Sequence, residues 1–294
     1  MKYEFIKANR SAFSIVKMCQ VLEVSKSGYY KQFKETQSQR DKDNDMLLNI
    51  IRVIFDGNKG RYGSPRVKKQ LNKNGIACGK NRVARLMREN NIKAKRMKKF
   101  KMTTDSKHNH PVAPNLLKQD FTATTVNEKW VSDITYIYTL EGWLYLAVIL
   151  DLYSRKVVGW SMGDRITKGL TMKALRQAMS RRGIRAGVIL HSDRGSQYAC
   201  HDYVDLVKEN NFIQSMSGKG NCYDNAVMES FFKTLKIEEI YWENYLTRDD
   251  ARKSIFEYIE TYYNTKRMHS ALDYMSPDEF EQSRFSDVSQ VCLN

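Results

Sequence analysis

The strongest constraint on the fold is a change of periodicity between residues 129 and 238. Three apolar, β-rich runs come first, at hairpin-like spacing: KWVSDITYIYT, LYLAVILDLYS and KVVGWSMG. Helical and strand-like segments then alternate: KGLTMKALRQAMSRRG, AGVILHSDRG, YACHDYVDLVKENN and FIQSMS, before a last helix that contains Val227, Phe231 and Leu235. Hairpin-spaced strands pair antiparallel, whereas strands separated by helices pair in parallel. The order βββαβαβα therefore predicts an α/β core, with a mixed five-stranded sheet flanked by helices.

Two pairs of short helices precede this core. FSIVKMCQVL and SGYYKQFK form the first pair, with Ser25 or Ser27 as a cap. SPRVKKQLNK and NRVARLMREN form the second, with Ser64 as the cap and Pro65 just inside the helix. Both pairs are typical of a helix-turn-helix, although an ordinary helical hairpin fits the first pair equally well. Basic residues of the two pairs are candidate DNA-phosphate contacts: Lys26, Arg66, Lys68, Arg82 and Arg85.

The charge of the chain is concentrated in these helical regions. Residues 1–120 contain 28 lysines and arginines against 10 acidic residues, whereas residues 121–294 contain 21 against 23. A basic region joined to a nearly neutral one is typical of a nucleic-acid-binding protein. An anionic membrane is the rival partner, but the basic stretches do not alternate with the apolar faces of an interfacial helix.

Other compositional features narrow the class of protein further. No apolar run approaches the roughly 20 residues of a membrane-spanning helix, and the first residues lack the apolar core of a signal peptide. The five cysteines are scattered without a CxxC pair, so we expect a reduced, cytoplasmic protein without zinc. The letters HNH at residues 108–110 are too few to indicate a nuclease, and we interpret His108 and His110 as linker residues.

These patterns divide the chain into four regions. We predict a helix-turn-helix over residues 1–40 and a second, basic helix-turn-helix-like region over 41–110, with a linker to about residue 119. The α/β catalytic core with C-terminal helices covers residues 120–285, and residues 286–294 form a tail. The linker prediction depends on the polar segment from Thr103 to Pro114, with Pro111 and Pro114 as helix breakers.

Three acidic residues occupy unusual places in the predicted core. Asp133 lies inside the first strand between apolar residues, Asp193 follows the fourth strand, and Glu229 lies on the last helix. The first and fourth strands of a βββαβαβ sheet are neighbours, and three converging carboxylates need positive compensation to stay ionised. Mg²⁺, which prefers oxygen ligands, supplies that compensation and serves phosphodiester chemistry when two ions are present. Hydrogen-bonded structural acids are the alternative for Asp133 and Asp193.

The helix that carries Glu229 also carries two lysines on the same face. Glu229, Lys233 and Lys236 are spaced at i, i+4 and i+7, so the three side chains point in one direction. A solvated glutamate–lysine pair worth a few tenths of a kcal/mol explains this pattern without any function. The helix is entered through a turn that contains Gly218 and Gly220.

Several of these segments together resemble one known family. WVSDITYI, LYLAVILDLYSRKVVGW, ILHSDRGSQYAC, SMSGKGNCYDNAVMESFFKTLKIE and YNTKRMHSALDYMSP are similar to the B-frame transposases of the insertion sequence 3 family, within the retroviral-integrase superfamily of DDE transposases. Thirty-five residues separate Asp193 from Glu229, which is the spacing of that family. VSKSGYYK and YGSPRVKKQL resemble the N-terminal helix-turn-helix regions of the family, so the resemblance covers nearly the whole chain.

The resemblance implies a site and a reaction. It implies an RNase H-like core in which Asp133, Asp193 and Glu229 bind two Mg²⁺ or Mn²⁺ ions, cleave the phosphodiester at the end of an insertion sequence and join the freed 3′-OH to another strand. Lys233 and Lys236 would face the DNA backbone, while His191 and Arg194 either steady the substrate or pack within the loop. Arg267 and His269 are expected to pack or to contact phosphates.

The resemblance also implies partners and rivals. Double-stranded DNA, both element ends and target, is the expected substrate of a homo-oligomer in the bacterial cytoplasm, associated with the nucleoid. An upstream-frame partner or a frameshift fusion with one is compatible with this assignment. The rival functions are a DNA-binding regulator with an inactive RNase H-like domain and an RNase H-like nuclease.

Overall fold

The computed structural model describes residues 1–33, 38–96, 112–183, 186–218 and 222–291. The chain divides into two compact units, Met1–Lys93 and Ala94–Asn294. The predicted linker residues His108, His110 and Pro111 lie outside the described residues, as does Gly220.

The first unit begins with three short helices around a small apolar core. They are α1 (Lys2–Ala8), α2 (Ile15–Val21) and α3 (Lys26–Gln32). Ser25 caps α3, as predicted, because its Oγ accepts a 3.0 Å hydrogen bond from Gly28 N. Ile6, Met18, Cys19 and Tyr29 form the core that holds the three helices together.

Three further helices complete the first unit: α4 (Gln39–Gly57), α5 (Ser64–Lys73) and α6 (Lys80–Glu89). α5 and α6 bury apolar residues at helical spacing, among them Val67, Leu71 and Val83. The cap of α5 is Gly63 rather than Ser64, which is already the first helical residue. The 19-residue α4 is absent from the predicted elements, although it packs against both α5 and α6.

The second unit is built on five strands: β1 (Lys129–Thr139), β2 (Gly142–Asp151), β3 (Val157–Gly163), β4 (Ile189–Ser192) and β5 (Ile213–Met216). Their order across the sheet is β3-β2-β1-β4-β5. The pairs β1–β2 and β2–β3 are antiparallel, and β4 pairs in parallel with both β1 and β5. The predicted mixed five-stranded sheet is therefore confirmed.

Helices cover the sheet. α7 (Lys168–Arg182) packs against β2 and β3, and it shares a core cluster with α8 (Ser196–Ala199) and α9 (His201–Glu209). The single helix predicted over residues 198–211 is broken at Cys200, whose extended backbone separates α8 from α9. α10 (Ala226–Glu238) packs against β1. Ala147 and Ile149 lie in the α7 cluster while Val148 and Leu150 are also buried, so both faces of β2 are covered.

The C-terminal part consists of α11 (Arg248–Phe256), a π-helical turn (Glu257–Tyr263) and α12 (Pro277–Val291). Asn264 follows the π-helical turn, and its side chain makes 2.9 Å hydrogen bonds to both N and O of Val157. These bonds satisfy backbone groups of the edge strand β3. Within the described ranges, no helix is both long and apolar enough to cross a bilayer.

Candidate active site

The register of β1 and β4 brings two of the predicted acids together. The last parallel pair in this ladder is Ser132 with Ser192. Asp133 follows Ser132 in β1, and Asp193 follows Ser192 at the end of β4. The two aspartates therefore lie side by side where β4 ends. This edge, at the carboxyl end of parallel strands, is the usual location of sites in α/β sheets.

The environment of Asp133 disfavours its negative charge. Burial among protein atoms raises the pKa of the Asp133 carboxyl well above its usual range, although part of the side chain still contacts solvent. The charge of Asp193 raises this pKa further, and that of Glu229 adds a smaller effect. A 2.7 Å hydrogen bond from Ile134 N to Asp133 Oδ1 offsets only part of the rise. Repulsion from the neighbouring acids therefore adds to the rise in the pKa of Asp133, as expected where carboxylates share a site.

Asp193 is held by the turn that follows β4. Its Oδ1 accepts a 2.9 Å hydrogen bond from Gly195 N. Tyr198 lies behind the two aspartates, with its hydroxyl 3.0 Å from Ser132 Oγ. Burial raises the pKa of Tyr198, and the charges of Asp133 and Asp193 raise it further, so the phenol stays protonated beside them.

Glu229 approaches this pair from α10. Its side chain is half-buried, and burial raises the pKa of its carboxyl. The charge of Glu229 is also one of the effects that raise the pKa of Asp133. No group of three histidine, cysteine or acidic side chains among the described residues is spaced to hold a metal ion as it stands.

The two lysines of α10 differ in environment. Lys233 is exposed, whereas Lys236 is half-buried and its Nζ lies 4.9 Å from the ring centroid of Tyr136 on β1. Burial lowers the pKa of Lys236, and the charge of Asp133 opposes that shift. Lys236 in turn lowers the pKa of Asp133. Lys236 is thus directed at the sheet rather than at open solvent, which the solvated-pair interpretation does not explain.

His191 and Arg194 flank Asp193 but face the protein. The imidazole of His191 is fully buried, with Nδ1 2.8 Å from Ser215 Oγ and Nε2 3.2 Å from Ser217 Oγ. Burial lowers the pKa of His191 to about 4, although the charge of Asp224 raises it in part. Packing therefore accounts for His191 better than a DNA contact does. Arg194 is half-buried, and its Nε donates a 2.6 Å hydrogen bond to the carbonyl of Ser217.

Asp224 joins the start of α10 to the core, a role that its place in the sequence does not indicate. Its buried carboxylate accepts hydrogen bonds from Asn115 Nδ2 at 2.9 Å, Gln119 Nε2 at 3.2 Å and Gly218 N at 2.7 Å. The helix that carries Glu229 begins two residues later. Asp224 thus fixes the entry to this helix.

A buried ion pair holds the other end of α10. Arg267 Nε and Nη2 each donate a 2.8 Å hydrogen bond to the carboxylate of Glu238. The hydroxyl of Tyr258 donates to the same carboxylate at 2.9 Å, and Arg267 Nη1 lies 3.1 Å from His269 Nε2. Of the two expected roles of Arg267 and His269, the structure therefore supports packing.

The basic candidates of the first unit are distributed over three helices. Lys26 is exposed in the first turn of α3, and Lys68 is half-buried on α5. The guanidinium of Arg66 lies 5.6 Å from the ring centroid of Tyr62. On α6, Arg82 Nε donates a 2.8 Å hydrogen bond to Asn44 Oδ1, and Arg85 lies 3.3 Å from Glu89. Arg82 and Arg85 line a cleft of about 470 Å³ together with Arg40, Asp43 and Asn81.

Comparison with known families and proteins agrees with this architecture. Residues 123–222 and 229–285 match two integrase core domain families, and residues 42–100 match an HTH-like domain family. The catalytic core domain of BIV integrase covers 55% of this chain and 99% of its own, with 19% identity and a TM-score of 0.42. The fold and the matched domains define a DNA-binding polynucleotidyl transferase of the transposase and integrase class.

Sequence relatives define the family more closely. The chain is 43% identical over 288 residues to the transposase InsF of insertion sequence IS3A from Escherichia coli, which covers 97% of this chain and 100% of that protein. It is 47% identical over 265 residues to an uncharacterized 31 kDa protein of insertion element IS600 from Shigella sonnei, covering 90% and 97%. The chain belongs to the family of IS3 transposases, and it is a transposase.

Proposed function

We propose that Asp133, Asp193 and Glu229 are the metal ligands and catalytic acids of this transposase. The observation that carries the proposal is the β1–β4 register, because it sets two carboxylates side by side at the sheet edge. Their oxygen-only chemistry fits Mg²⁺ or Mn²⁺, and a cation would favour the ionised form of Asp133, whose pKa is raised by burial and by the charges of Asp193 and Glu229. Two bound ions would stabilise the attacking and leaving oxygens of a phosphodiester displacement.

The side chains of the site have separate tasks in this proposal. Asp133 and Asp193 present their carboxylates from adjacent strands, and α10 presents Glu229 to them. No three acids among the described residues are grouped closely enough to hold an ion as they stand, so Asp133, Asp193 and Glu229 would come closer together on binding it. In the protein without DNA, the charge of Lys236 favours the ionised form of Asp133. In the complex with DNA, Lys236 binds a phosphate, as do Lys233 and Arg194.

The substrate that this arrangement fits is double-stranded DNA at the ends of an insertion sequence and at its target. Water attacks a phosphodiester at the element end and frees a 3′-OH. That hydroxyl then attacks a phosphodiester of the partner end or target, and the 3′-oxygen of the attacked strand leaves. Lys26, Arg66, Lys68, Arg82 and Arg85 of the first unit contact the duplex. We further propose a homo-oligomer in the DNA complex, compatible with an upstream-frame partner or fusion, in the bacterial cytoplasm at the nucleoid.

Replacement of one acid tests the site. Asp193→Asn keeps the shape of the side chain but removes a charged ligand, so cleavage and strand transfer in Mg²⁺ should be lost while folding and DNA binding persist. Asp205→Asn makes the same change at an exposed position on α9 and should behave as the unsubstituted protein. Strand transfer by Asp193→Asn at the rate of the control would contradict the assignment.

A further inference from the structure

An exposed group of aromatic side chains continues along the strand that carries Asp133. Tyr136 and Tyr138 are two residues apart on β1, so they project from the same face of the strand, opposite to the face of Asp133, and Trp143 pairs with Tyr138 across the β1–β2 hairpin. The Trp143 ring centroid lies 5.1 Å from that of Tyr136 and 5.4 Å from that of Tyr138, both at steep interplanar angles. Tyr138 is 61% exposed and Trp143 45% exposed. We call these three residues the aromatic strip.

The strip begins three residues along β1 from Asp133, on the opposite face of the strand. At about 3.4 Å per residue, Tyr136 lies roughly 10 Å and Tyr138 roughly 17 Å along the strand from Asp133. β4 ends at the Ser132–Ser192 pair, so this part of β1 continues beyond its parallel neighbour, and α10 packs against β1. Lys236 connects the two features, because its ammonium lies over the Tyr136 ring while its charge acts on Asp133.

The chemistry of the strip fits nucleic acid better than a second protein surface. Flat aromatic rings stack on unpaired bases of any sequence, and adjacent cations bind the phosphates between them. Cations stand at both ends of the strip: Lys236 at Tyr136, and Arg248, whose Nε donates a 3.0 Å hydrogen bond to the carbonyl of Trp143. Protein interfaces are also rich in tyrosine, tryptophan and arginine, but they are depleted of lysine, and Lys236 stands over the Tyr136 ring.

We propose that the aromatic strip binds unpaired bases of the DNA strand whose phosphate lies at the acids, a few nucleotides from that phosphate and around the open edge of β1. Bases inside a duplex already stack on each other, so only unpaired bases can occupy the rings. The protein would therefore hold the last nucleotides of a DNA end apart. This placement rests on the proposed function, whereas the stacking itself does not.

Binding of three DNA probes to the full-length chain tests the proposal without divalent metal. The first is a blunt duplex, the second has a 3′ tail of thymidines, and the third has an abasic tail of equal length and charge. The thymidine tail should bind more tightly than the abasic tail by about fivefold or more, because each stacked base contributes at least that factor. Fluorescence anisotropy measures the three affinities.

Variants at the two exposed rings separate stacking from other effects. Tyr138→Ala combined with Trp143→Ala should bind the thymidine and abasic tails equally, whereas Tyr138→Phe combined with Trp143→Phe should keep the preference. Leu140→Ala, an exposed apolar loss in the same hairpin, should also keep it. Light scattering of the alanine variant should give the mass of the unsubstituted protein.

Two outcomes would overturn the proposal. One is an unchanged thymidine preference in the alanine variant. The other is a change in mass without a change in that preference, which would make the strip an interface between copies. Asp193→Asn should keep the thymidine preference, so failure of the acid assignment and failure of the stacking proposal are read in different assays.

Discussion

At Asp133, folding and the proposed chemistry have opposite requirements. The raised pKa means that the folded chain binds a proton at this carboxyl more tightly than the unfolded chain does. Above the ordinary value of 3.8, folding stability therefore falls as the pH rises, until the raised pKa is passed. Across this pH range the Asp133 carboxyl is thus a destabilising group in the metal-free protein.

Asp133→Asn should consequently stabilise the metal-free protein while it abolishes strand transfer. The amide removes the buried charge and its repulsion from Asp193, and its oxygen can still accept the hydrogen bond from Ile134 N. We expect a gain of about 0.5–2 kcal/mol, which is common when a strained functional site is neutralised. Thermal unfolding at pH 7 without divalent metal measures it, with Asp205→Asn as the control. A lower melting temperature than the control would contradict the electrostatic account.

The buried His191 should also make folding stability depend on pH, but with the opposite sign to Asp133 and over a different pH range. Its folded pKa of about 4 lies below the ordinary 6.5, so the unfolded chain binds the proton first as the pH falls. Stability should decrease from pH 6.5 towards pH 4, by up to about 3 kcal/mol from this residue. His191→Gln should lack that part of the decrease, whereas His201→Gln, at an exposed position, should retain it. Melting temperatures at pH 7 and pH 5 give the comparison.

At the scale of the element, α10 is fixed at both ends. The Asp224 carboxylate ties its start to Asn115, Gln119 and Gly218, and the pair of Glu238 with Arg267 ties its end. Such buried polar contacts are costly to break one-sidedly, because the remaining partner stays desolvated. The helix can therefore present Glu229 in a defined direction.

Asp224→Asn should disturb that presentation. The carboxylate accepts from three donors, and an amide group directs its own N–H at one of them. We expect a loss of about 1–3 kcal/mol at the start of α10 and at least a tenfold loss of strand transfer, with duplex binding retained. Hydrogen exchange should increase in residues 222–230 but not in β1–β3. Normal strand transfer combined with faster exchange would show that Glu229 does not depend on this anchor.

The elements differ in how far the sequence predicted them. All five strands were predictable because each is an apolar run bounded by polar residues, and the strand order then follows from topology. Asp133 was conspicuous as a charge inside such a run. Asp224 was not, because a buried acceptor of three hydrogen bonds has the same local sequence as a surface turn. The π-helical turn was not predictable either, because an extra residue per turn leaves the apolar pattern of residues 257–263 close to that of an α-helix.

For the whole molecule, the two compact units differ in charge. Residues 1–93 contain 21 lysines and arginines against 8 acidic residues, whereas residues 94–294 contain 28 against 25. The first unit, with most of the matched HTH-like domain, therefore carries a net charge of +13, whereas the unit with the acids is nearly neutral at +3. We therefore propose that the first unit supplies the affinity for duplex DNA and the second unit the chemistry.

The first unit alone should therefore bind duplex DNA, and it is compact enough to be prepared separately. If Lys26, Arg66, Lys68, Arg82 and Arg85 each contact a phosphate, the logarithm of affinity should fall with the logarithm of salt concentration at a slope of roughly −4 to −5. That slope corresponds to a loss of roughly 500-fold between 50 and 200 mM salt. Fluorescence anisotropy with a blunt duplex of arbitrary sequence measures it.

Single substitutions then show how much each lysine contributes to the dependence of affinity on salt concentration. Lys26→Ala and Lys68→Ala should each reduce its magnitude by about one and weaken binding equally on all sequences, because a phosphate contact carries no base information. Lys208→Ala in the full-length chain provides the matched control, because this lysine is exposed on α9 of the second unit. Weak, salt-insensitive binding by residues 1–93, with the full slope recovered from residues 94–294 alone, would move the duplex contacts to the catalytic unit.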